Sequence, residues 1–225
     1  MNFKFSFKKH TTKLEEADFR DLYHRVIFIK LTPQLESFLS EKIEFSDKDN
    51  GLLAYGYIDD EAGFSFSVLC AARIDGKKLL RGKYNNKTNI IFRKGFLNHC
   101  EYLHLDSFDI DTSDFDNLIA TINKIYRCES EDTERMRKFT FFDNSRNKDF
   151  PDDIKVFLLN KNLNPEQVWA KCWMITENEL FAKLLNEPNH DFGIHAGDII
   201  GFTPTKYEDG ILCIYNGRRL EEVEM

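Results

Sequence analysis

A run of segments with the character of β-strands, between positions 52 and 93, constrains the fold of this chain more than any other feature. Phe64, Phe66 and Val68 alternate with serines, which is the period of a β-strand with one buried face. Asp75-Gly76 follows, and this dipeptide is a strong signal for a two-residue hairpin turn, here expected to be type I′. The sequence therefore predicts an antiparallel meander in this region.

Helix signals flank the predicted strands. Thr32-Pro33 has the form of a helix start, with threonine as the N-cap and proline at the first helical position, where no amide hydrogen is required. Residues 113–126 begin with a capping-box pattern, Ser113 to Asp116, and continue with apolar residues at helical spacing. We therefore expect an α+β fold: an antiparallel sheet with helices packed on it, and a smaller α+β module at the C-terminal end.

The polar segment 143–148 predicts a domain boundary. Its residues, Asp-Asn-Ser-Arg-Asn-Lys, have the composition of a loop or linker. A chain of 225 residues can form one large domain or two small ones. We expect an α+β N-terminal region at residues 1–145 and a second module at residues 146–225.

The cysteines and the N-terminus predict a cytoplasmic location. The five cysteines are widely spaced, odd in number and form no C-x-x-C pair, so neither a disulfide framework nor a zinc ribbon is expected. Residues 1–8 alternate phenylalanine with polar residues and lack the apolar run of a signal peptide. The aliphatic run from Val26 to Ile29 is too short to span a bilayer, and no membrane association is expected.

Opposite charges are separated along the chain. Residues 73–94 include eight basic side chains and one acid, Asp75, whereas residues 98–134 include ten acids and only Lys124 and Arg127 as bases. Two interpretations remain open. In the first, the two segments solvate two faces of one domain or attract each other. In the second, one of them recognises an oppositely charged partner.

A basic protein is the partner that the second interpretation favours. The net charge of −7 makes nucleic acid a disfavoured partner, and binding through the basic segment ranks third; it would use Lys77, Lys78, Arg81 and Lys83 and show steep salt dependence. An acidic surface directed at a basic protein, such as a toxin, is preferred. The predicted partner-binding residues are Asp106, Asp109, Asp111, Asp114 and Asp116.

Three short motifs follow one another in the last third of the chain. They are Glu166-Gln167-Val168-Trp169, Asn186-Glu187-Pro188 and Ala196-Gly197-Asp198. In this order they resemble the YegJ-like bacterial domain, a family of unknown function, over roughly residues 150–215. Gln167 stands where that family usually has histidine, and no Asp-Trp pair follows near Ile211. The resemblance implies an α+β module without established chemistry.

The polar residues of these motifs permit two interpretations. Asn186 to Asn189 and Gly197-Asp198 have turn composition, and Trp169 and Trp173 would share one face of a helix or a strand, so a structural role is the first interpretation. In the second, the motif residues surround a pocket and the protein is an uncharacterised enzyme with a His/Asp/Glu cleft. The residues expected around that pocket are Glu166, Trp169, His190, His195 and Asp198.

Common catalytic and metal-binding motifs are absent from the sequence. There is no G-x-S-x-G, H-E-x-x-H, P-loop or G-x-G-x-x-G motif. Asp109, Asp111 and Ser113 begin like a calcium loop, but Asp114 replaces the required glycine and Ala120 the bidentate glutamate. We therefore predict no metal and no cofactor. The favoured function is a non-enzymatic bacterial interaction protein, with an immunity protein that neutralises a toxin as its concrete form.

Overall fold

The computed structural model describes residues 11–83, 89–208 and 210–220. The alternating segment at residues 1–8 and Lys87 of the basic segment lie outside these residues. By its internal contacts the chain divides into two compact units, Met1–Arg127 and Cys128–Met225. The boundary expected between residues 145 and 146 falls within the second unit.

The first unit contains an antiparallel sheet. Its described elements, in chain order, are β1 (Thr12–Lys13), α1 (Phe19–Leu22), β2 (Val26–Lys30), α2 (Pro33–Leu39), β3 (Gly51–Asp59), β4 (Gly63–Asp75), β5 (Lys78–Arg81), β6 (Ile91–Arg93), β7 (Glu101–His104) and α3 (Asp116–Ile125). The strands are ordered β1-β7-β2-β3-β4-β5, and β6 also pairs with β4. Short 3₁₀ turns at 94–97, 105–107 and 113–115 complete these elements.

Strands β3 and β4 are buried on both faces. Even-numbered residues of β3, such as Leu52 and Ala54, enter one apolar cluster together with Leu35 of α2. Odd-numbered residues, such as Leu53, enter a second cluster together with Phe115. Because both faces are covered, these strands are apolar along nearly their whole length.

Several local predictions for this unit can be compared with the structure. The helix start at Thr32 is confirmed, because its side chain accepts a hydrogen bond from Leu35 N–H at 3.3 Å. The β4–β5 hairpin is confirmed, but its turn consists of Gly76-Lys77, and only Gly76 has a positive φ, 61°. The predicted type I′ turn is therefore wrong, since that type needs a positive φ at both central residues. Helix α3 is present without its capping box: Ser113 N–H donates to Asp111 instead.

The second unit is a closed barrel. After helix α4 (Glu131–Arg137) come the strands β8 (Asp153–Asn160), β9 (Leu163–Ile175), β10 (Leu180–Leu184), β11 (Ile199–Tyr207) and β12 (Gly210–Leu220). Consecutive strands pair antiparallel, and β12 closes the barrel by pairing parallel with β8. In a five-stranded meander the first and last strands run in the same direction, so closure has to be parallel. Alternate residues point inward and form the core, among them Val156, Val168, Ala170, Cys172, Phe202 and Cys213.

Two buried arginines hold the segment between α4 and the barrel. The Arg137 guanidinium makes a two-pronged ion pair with the Asp152 carboxylate, at 2.9 and 2.6 Å, and each side chain is 5% exposed. Arg146 donates to the backbone carbonyls of Met136 and Pro151, and its guanidinium lies over the Phe142 ring. These contacts satisfy cations that would be costly to bury alone.

The expected α+β fold is wrong. Of the residues that the structure describes, 43% lie in strands and 20% in helices, so the protein is mostly β, and it combines an antiparallel sheet with a closed five-stranded barrel. The expected smaller α+β module is this barrel, in which the segment Glu179 to Leu185 contributes β10. The barrel departs from the expected module because its strands enclose the core from all sides. No layer of helices is therefore required to cover that core. None of the helices among the described residues is both long and apolar enough to cross a membrane.

Candidate functional site

The three C-terminal motifs meet at the connection between β10 and β11. This segment, residues 185–198, contains the second and third motifs, while the first motif lies on the neighbouring strand β9. Ile194, at the centre of the segment, is buried in the barrel core. The motifs therefore belong to one local structure, which we call the β10–β11 connection.

Glu166 holds the middle of the β10–β11 connection. Its Oε1 accepts hydrogen bonds from the Asn189 backbone N–H at 2.5 Å and from the Asn189 side-chain amide at 2.7 Å. Its Oε2 accepts one from the His190 backbone N–H at 3.2 Å and lies 3.1 Å from His190 Nδ1. These hydrogen bonds, that from the Asn189 backbone first, lower the pKa of the Glu166 carboxyl. Glu166 is therefore a fixed anion whose oxygens are occupied by the loop.

Glu187 and Asp198 hold the end of the same connection. Glu187 Oε1 lies 2.7 Å from His195 Nδ1, and Oε2 accepts a hydrogen bond from Ala196 N–H at 2.8 Å. Asp198 Oδ2 accepts one from His195 N–H at 2.7 Å, and Oδ1 lies 2.9 Å from an Arg219 nitrogen. The hydrogen bond between Glu187 and His195 lowers the pKa of the carboxyl and raises that of the imidazole. The pair therefore favours a charged histidine.

Trp169 marks the point where the connection leaves the sheet. Its backbone N–H donates to Asn186 Oδ1 at 2.7 Å, and its carbonyl accepts from Leu185 N–H at 2.8 Å. The asparagine side chain thus supplies the hydrogen bond that a neighbouring strand would otherwise make. This explains why an asparagine stands at the start of the second motif.

The five residues predicted around a pocket lie in or beside the β10–β11 connection, but they do not share one centre. The His190 side chain pairs with Glu166, and the His195 side chain pairs with Glu187. Asp198 accepts a hydrogen bond from the backbone N–H of His195. The two imidazoles therefore have different carboxylate partners. Among residues 11–83, 89–208 and 210–220, no group of three or more His, Cys, Asp or Glu side chains could hold a metal ion. A cleft of about 440 Å³ lies elsewhere on the barrel, lined by residues 176–179 and Arg218. Chemically, the motif residues form a scaffold for the connection.

The acidic residues predicted to bind a partner lie on the segment leading into α3. We call Asp106, Asp109, Asp111, Asp114 and Asp116 the acidic surface; all five are exposed. Asp106 lies 3.7 Å from Arg25, and Asp114 lies 2.7 Å from Arg81. Within the described parts of the chain, Asp109 and Asp116 form no ion pair.

Arg81 fixes the shape of this surface. Its Nε donates to the Asp111 carbonyl and its Nη2 to the Asp114 carboxylate, both at 2.7 Å. Its guanidinium also lies 5.1 Å from the centre of the buried Phe115 ring. The basic and acidic segments therefore do attract each other at Arg81, as the first interpretation of their charges holds, while Asp109 and Asp116 stay exposed.

One feature of the barrel that the sequence did not predict is the exposed ring of Trp173. The spacing of Trp169 and Trp173 predicts a structural role, yet Trp173 is 37% exposed. The alternation of Gln167, Trp169, Lys171 and Trp173 with buried residues was the signal that could have shown it. Comparisons of the chain with protein-family models, curated proteins and solved structures found no match.

Proposed function

We propose that this protein is a non-enzymatic interaction protein that binds a basic protein partner through the acidic surface. The observation that carries the proposal is the exposure of Asp109 and Asp116, which form no ion pair among the described residues. Carboxylates concentrated on one segment attract a basic partner over a distance and raise its association rate. Repulsion among them is relieved when such a partner binds.

Arg81 supports the proposal because it makes the surface pre-organised. It joins a side chain and a carbonyl of the segment to strand β5, so the segment does not have to become ordered on binding. A binding site that is ordered in advance loses less conformational entropy in the complex. Charge and order together favour a specific contact over loose attraction.

The enzyme alternative has less support than the interaction proposal. A general acid or base must have a polar atom that can reach a substrate. The oxygens of Glu166, Glu187 and Asp198 are instead engaged with backbone N–H groups, histidines and Arg219. We interpret these residues as the scaffold of the β10–β11 connection.

The concrete form that we propose is a bacterial immunity protein acting in the cytoplasm. A basic toxin has the charge that the acidic surface would attract. Membership of residues 146–225 in the YegJ-like family is part of the same proposal, and its support is that all three motifs meet at the β10–β11 connection. The family contributes no reaction, which agrees with a binding role.

Affinity purification of the tagged protein from its own cells tests the proposal. A basic protein is expected in a stoichiometric amount after a moderate-salt wash, and the double variant D109K/D116K is expected to lose it. The control E41K/E44K makes the same change of charge at exposed positions of the first unit and should retain the partner. Capture of the same protein by D109K/D116K would contradict the proposal.

A further inference from the structure

The cleft of about 440 Å³ on the barrel opens beside the turn that joins β9 to β10. It is lined by Thr176, Glu177, Asn178 and Glu179 of that turn and by Arg218 of β12. These residues belong neither to the acidic surface nor to the β10–β11 connection. We call this separate feature the turn cleft.

An irregular part of β12 forms one wall of the turn cleft. The register between β11 and β12 shifts there, so that residues 216–218 of β12 are opposite Gly201 alone. A bulge of this kind bends a strand and re-aims its side chains. Gly201 makes room for it, because a Cβ at this position would lie 2.5 Å from Asn216 Oδ1. Arg218, the last residue of the bulge, lines the cleft.

Glu179 joins the turn to the bulge. Its Oε2 lies 2.7 Å from Arg218 Nη1, and its Oε1 accepts a hydrogen bond from the Asn216 amide at 3.4 Å. Asn216 Oδ1 in turn accepts the Arg218 backbone N–H at 3.1 Å. The turn itself is closed by Thr176 N–H, which donates to the Glu179 carbonyl at 2.9 Å. Both walls of the cleft are therefore held in place before any ligand binds.

The polar side chains that line the turn cleft have hydrogen-bonding capacity left over. Arg218 is 68% exposed and uses one Nη for Glu179, so its other N–H donors can reach a ligand. Among the residues that the structure describes, the side chains of Glu177 and Asn178 have no hydrogen-bond or ion-pair partner. The cleft thus offers a cationic donor, a carboxylate and an amide.

The charges of the turn cleft favour a small ligand that carries both signs. A purely anionic ligand would be repelled by Glu177 and Glu179, and a purely cationic one by Arg218. Asp132 of α4 contacts the strand next to the turn, but its carboxylate is engaged by Ile175 N–H and by Arg135, both at 3.1 Å. In the described parts of the chain, no group of three or more His, Cys, Asp or Glu side chains could hold a metal ion. A zwitterion can satisfy both free charges at once.

We propose that the turn cleft binds a free α-amino acid. The planar guanidinium of Arg218 donates to the carboxylate of the ligand, a pairing that is strong because both groups are charged. Glu177 accepts hydrogen bonds from the ammonium group, and the Asn178 amide is available to a polar side chain. The volume of the cleft lies in the lower part of the range of small-molecule sites, about 300–1,000 Å³, which suits a ligand of this size.

Titration followed by nuclear magnetic resonance tests the proposal. The ¹⁵N-labelled full chain is titrated separately with each standard L-amino acid, and at least one is expected to shift the backbone amide signals of residues 176–179 and 216–218. The N-acetyl and α-amide forms of that amino acid are then the matched probes, because each keeps the side chain and lacks one charge. Each is expected to bind at least about tenfold more weakly, since one charged hydrogen bond is lost.

Variants assign the two charges to their residues. E177Q and R218Q are each expected to weaken binding of the same amino acid about tenfold or more. The control E208Q makes the same change as E177Q at an exposed position beside another hairpin turn of the barrel and should bind like the wild type. If R218Q does not fold, E177Q still decides, because it removes no contact among the described residues.

Three outcomes would overturn the proposal. They are unchanged signals of residues 176–179 and 216–218 with every amino acid, equal affinity for the free amino acid and its two blocked forms, and equal affinities of E177Q and E208Q. The second would show that the cleft does not recognise the two charges. The third would place the ligand away from Glu177.

Discussion

The Glu187 carboxylate lies 2.7 Å from His195 Nδ1 and also accepts the Ala196 N–H. A glutamate of the second motif thereby holds the start of the third motif. Because the two residues are separated by the segment that contains Ile194, the pair closes a small loop within the β10–β11 connection. The contact has a direct consequence for stability as a function of pH.

The contribution of this pair should be greatest in a window of mildly acidic pH. The raised pKa of His195 gives stability that is complete below its ordinary value of 6.5 and is lost as pH rises through the raised pKa. The lowered pKa of Glu187 gives stability that is present above its ordinary value of 4.5 and is lost as pH falls through the lowered pKa. We predict the largest contribution between these two ordinary values.

Thermal unfolding of wild type and H195Q measures this contribution. Tryptophan fluorescence follows the barrel alone, since both tryptophans belong to it. The unfolding midpoint of H195Q should be lower than that of wild type inside the window, and the difference should shrink on either side. The control H99Q changes an exposed histidine of the first unit and should not shift this midpoint. A difference independent of pH would contradict the prediction.

The buried ion pair between Arg137 and Asp152 should be essential to the second unit. Removing one partner leaves a buried charge without compensation, which costs about 3–5 kcal/mol. R137A is therefore expected to lower the free energy of unfolding of the barrel by this amount in urea, followed by tryptophan fluorescence. R135A, two residues away and 60% exposed, is the control and should change it by less than about 0.5 kcal/mol. Equal effects of the two substitutions would refute a special role for the buried pair.

Arg81 should determine the order of the acidic surface. R81A removes the hydrogen bonds to the Asp111 carbonyl and the Asp114 carboxylate. Amide hydrogen exchange is expected to accelerate at residues 111–116 while the strands of the sheet stay protected. K78A, on the same strand and exposed, is the matched control. Unchanged protection of residues 111–116 in R81A would show that the segment is held by other contacts.

Gly56 should not tolerate a side chain. A Cβ built there would lie 2.3 Å from the Leu22 carbonyl oxygen, which belongs to the backbone and cannot move aside easily. We predict that G56A destabilises the first unit by about 1–3 kcal/mol, measured by urea unfolding followed by circular dichroism. At Gly82 the nearest atom is at 3.1 Å, and G82A should cost less. A smaller loss for G56A than for G82A would contradict the packing argument.

Sequence predicted the local structure of the first unit well. The hairpin after β4, the Thr32 cap and the helix at 116–125 depend on neighbouring residues, and the structure contains all three. The closed barrel depends on the pairing of β12 with β8, between residues as distant as Cys213 and Val156. No local pattern encodes such a pairing, and short apolar segments such as residues 180–184 suit a strand or a helix equally.

The candidate site was predicted in part. The motif residues do lie together, since turn-forming asparagines and glycines mark the β10–β11 connection in the sequence itself. Their hydrogen bonds could not be foreseen, because Glu166 is joined to residues 189–190 only once β9 stands beside the connection. The role of Arg81 was also hidden, since its partners Asp111 and Asp114 are about thirty residues away.

Binding of a purified partner is the most direct test of the proposed function. Once the basic protein captured by the wild type is known, its association rate with wild type, D109K/D116K and E41K/E44K can be measured at low and moderate salt. We predict an association rate that falls at least tenfold in D109K/D116K and loses most of its salt dependence, with E41K/E44K close to wild type. Equal rates for the two double variants would contradict a specific role for the acidic surface.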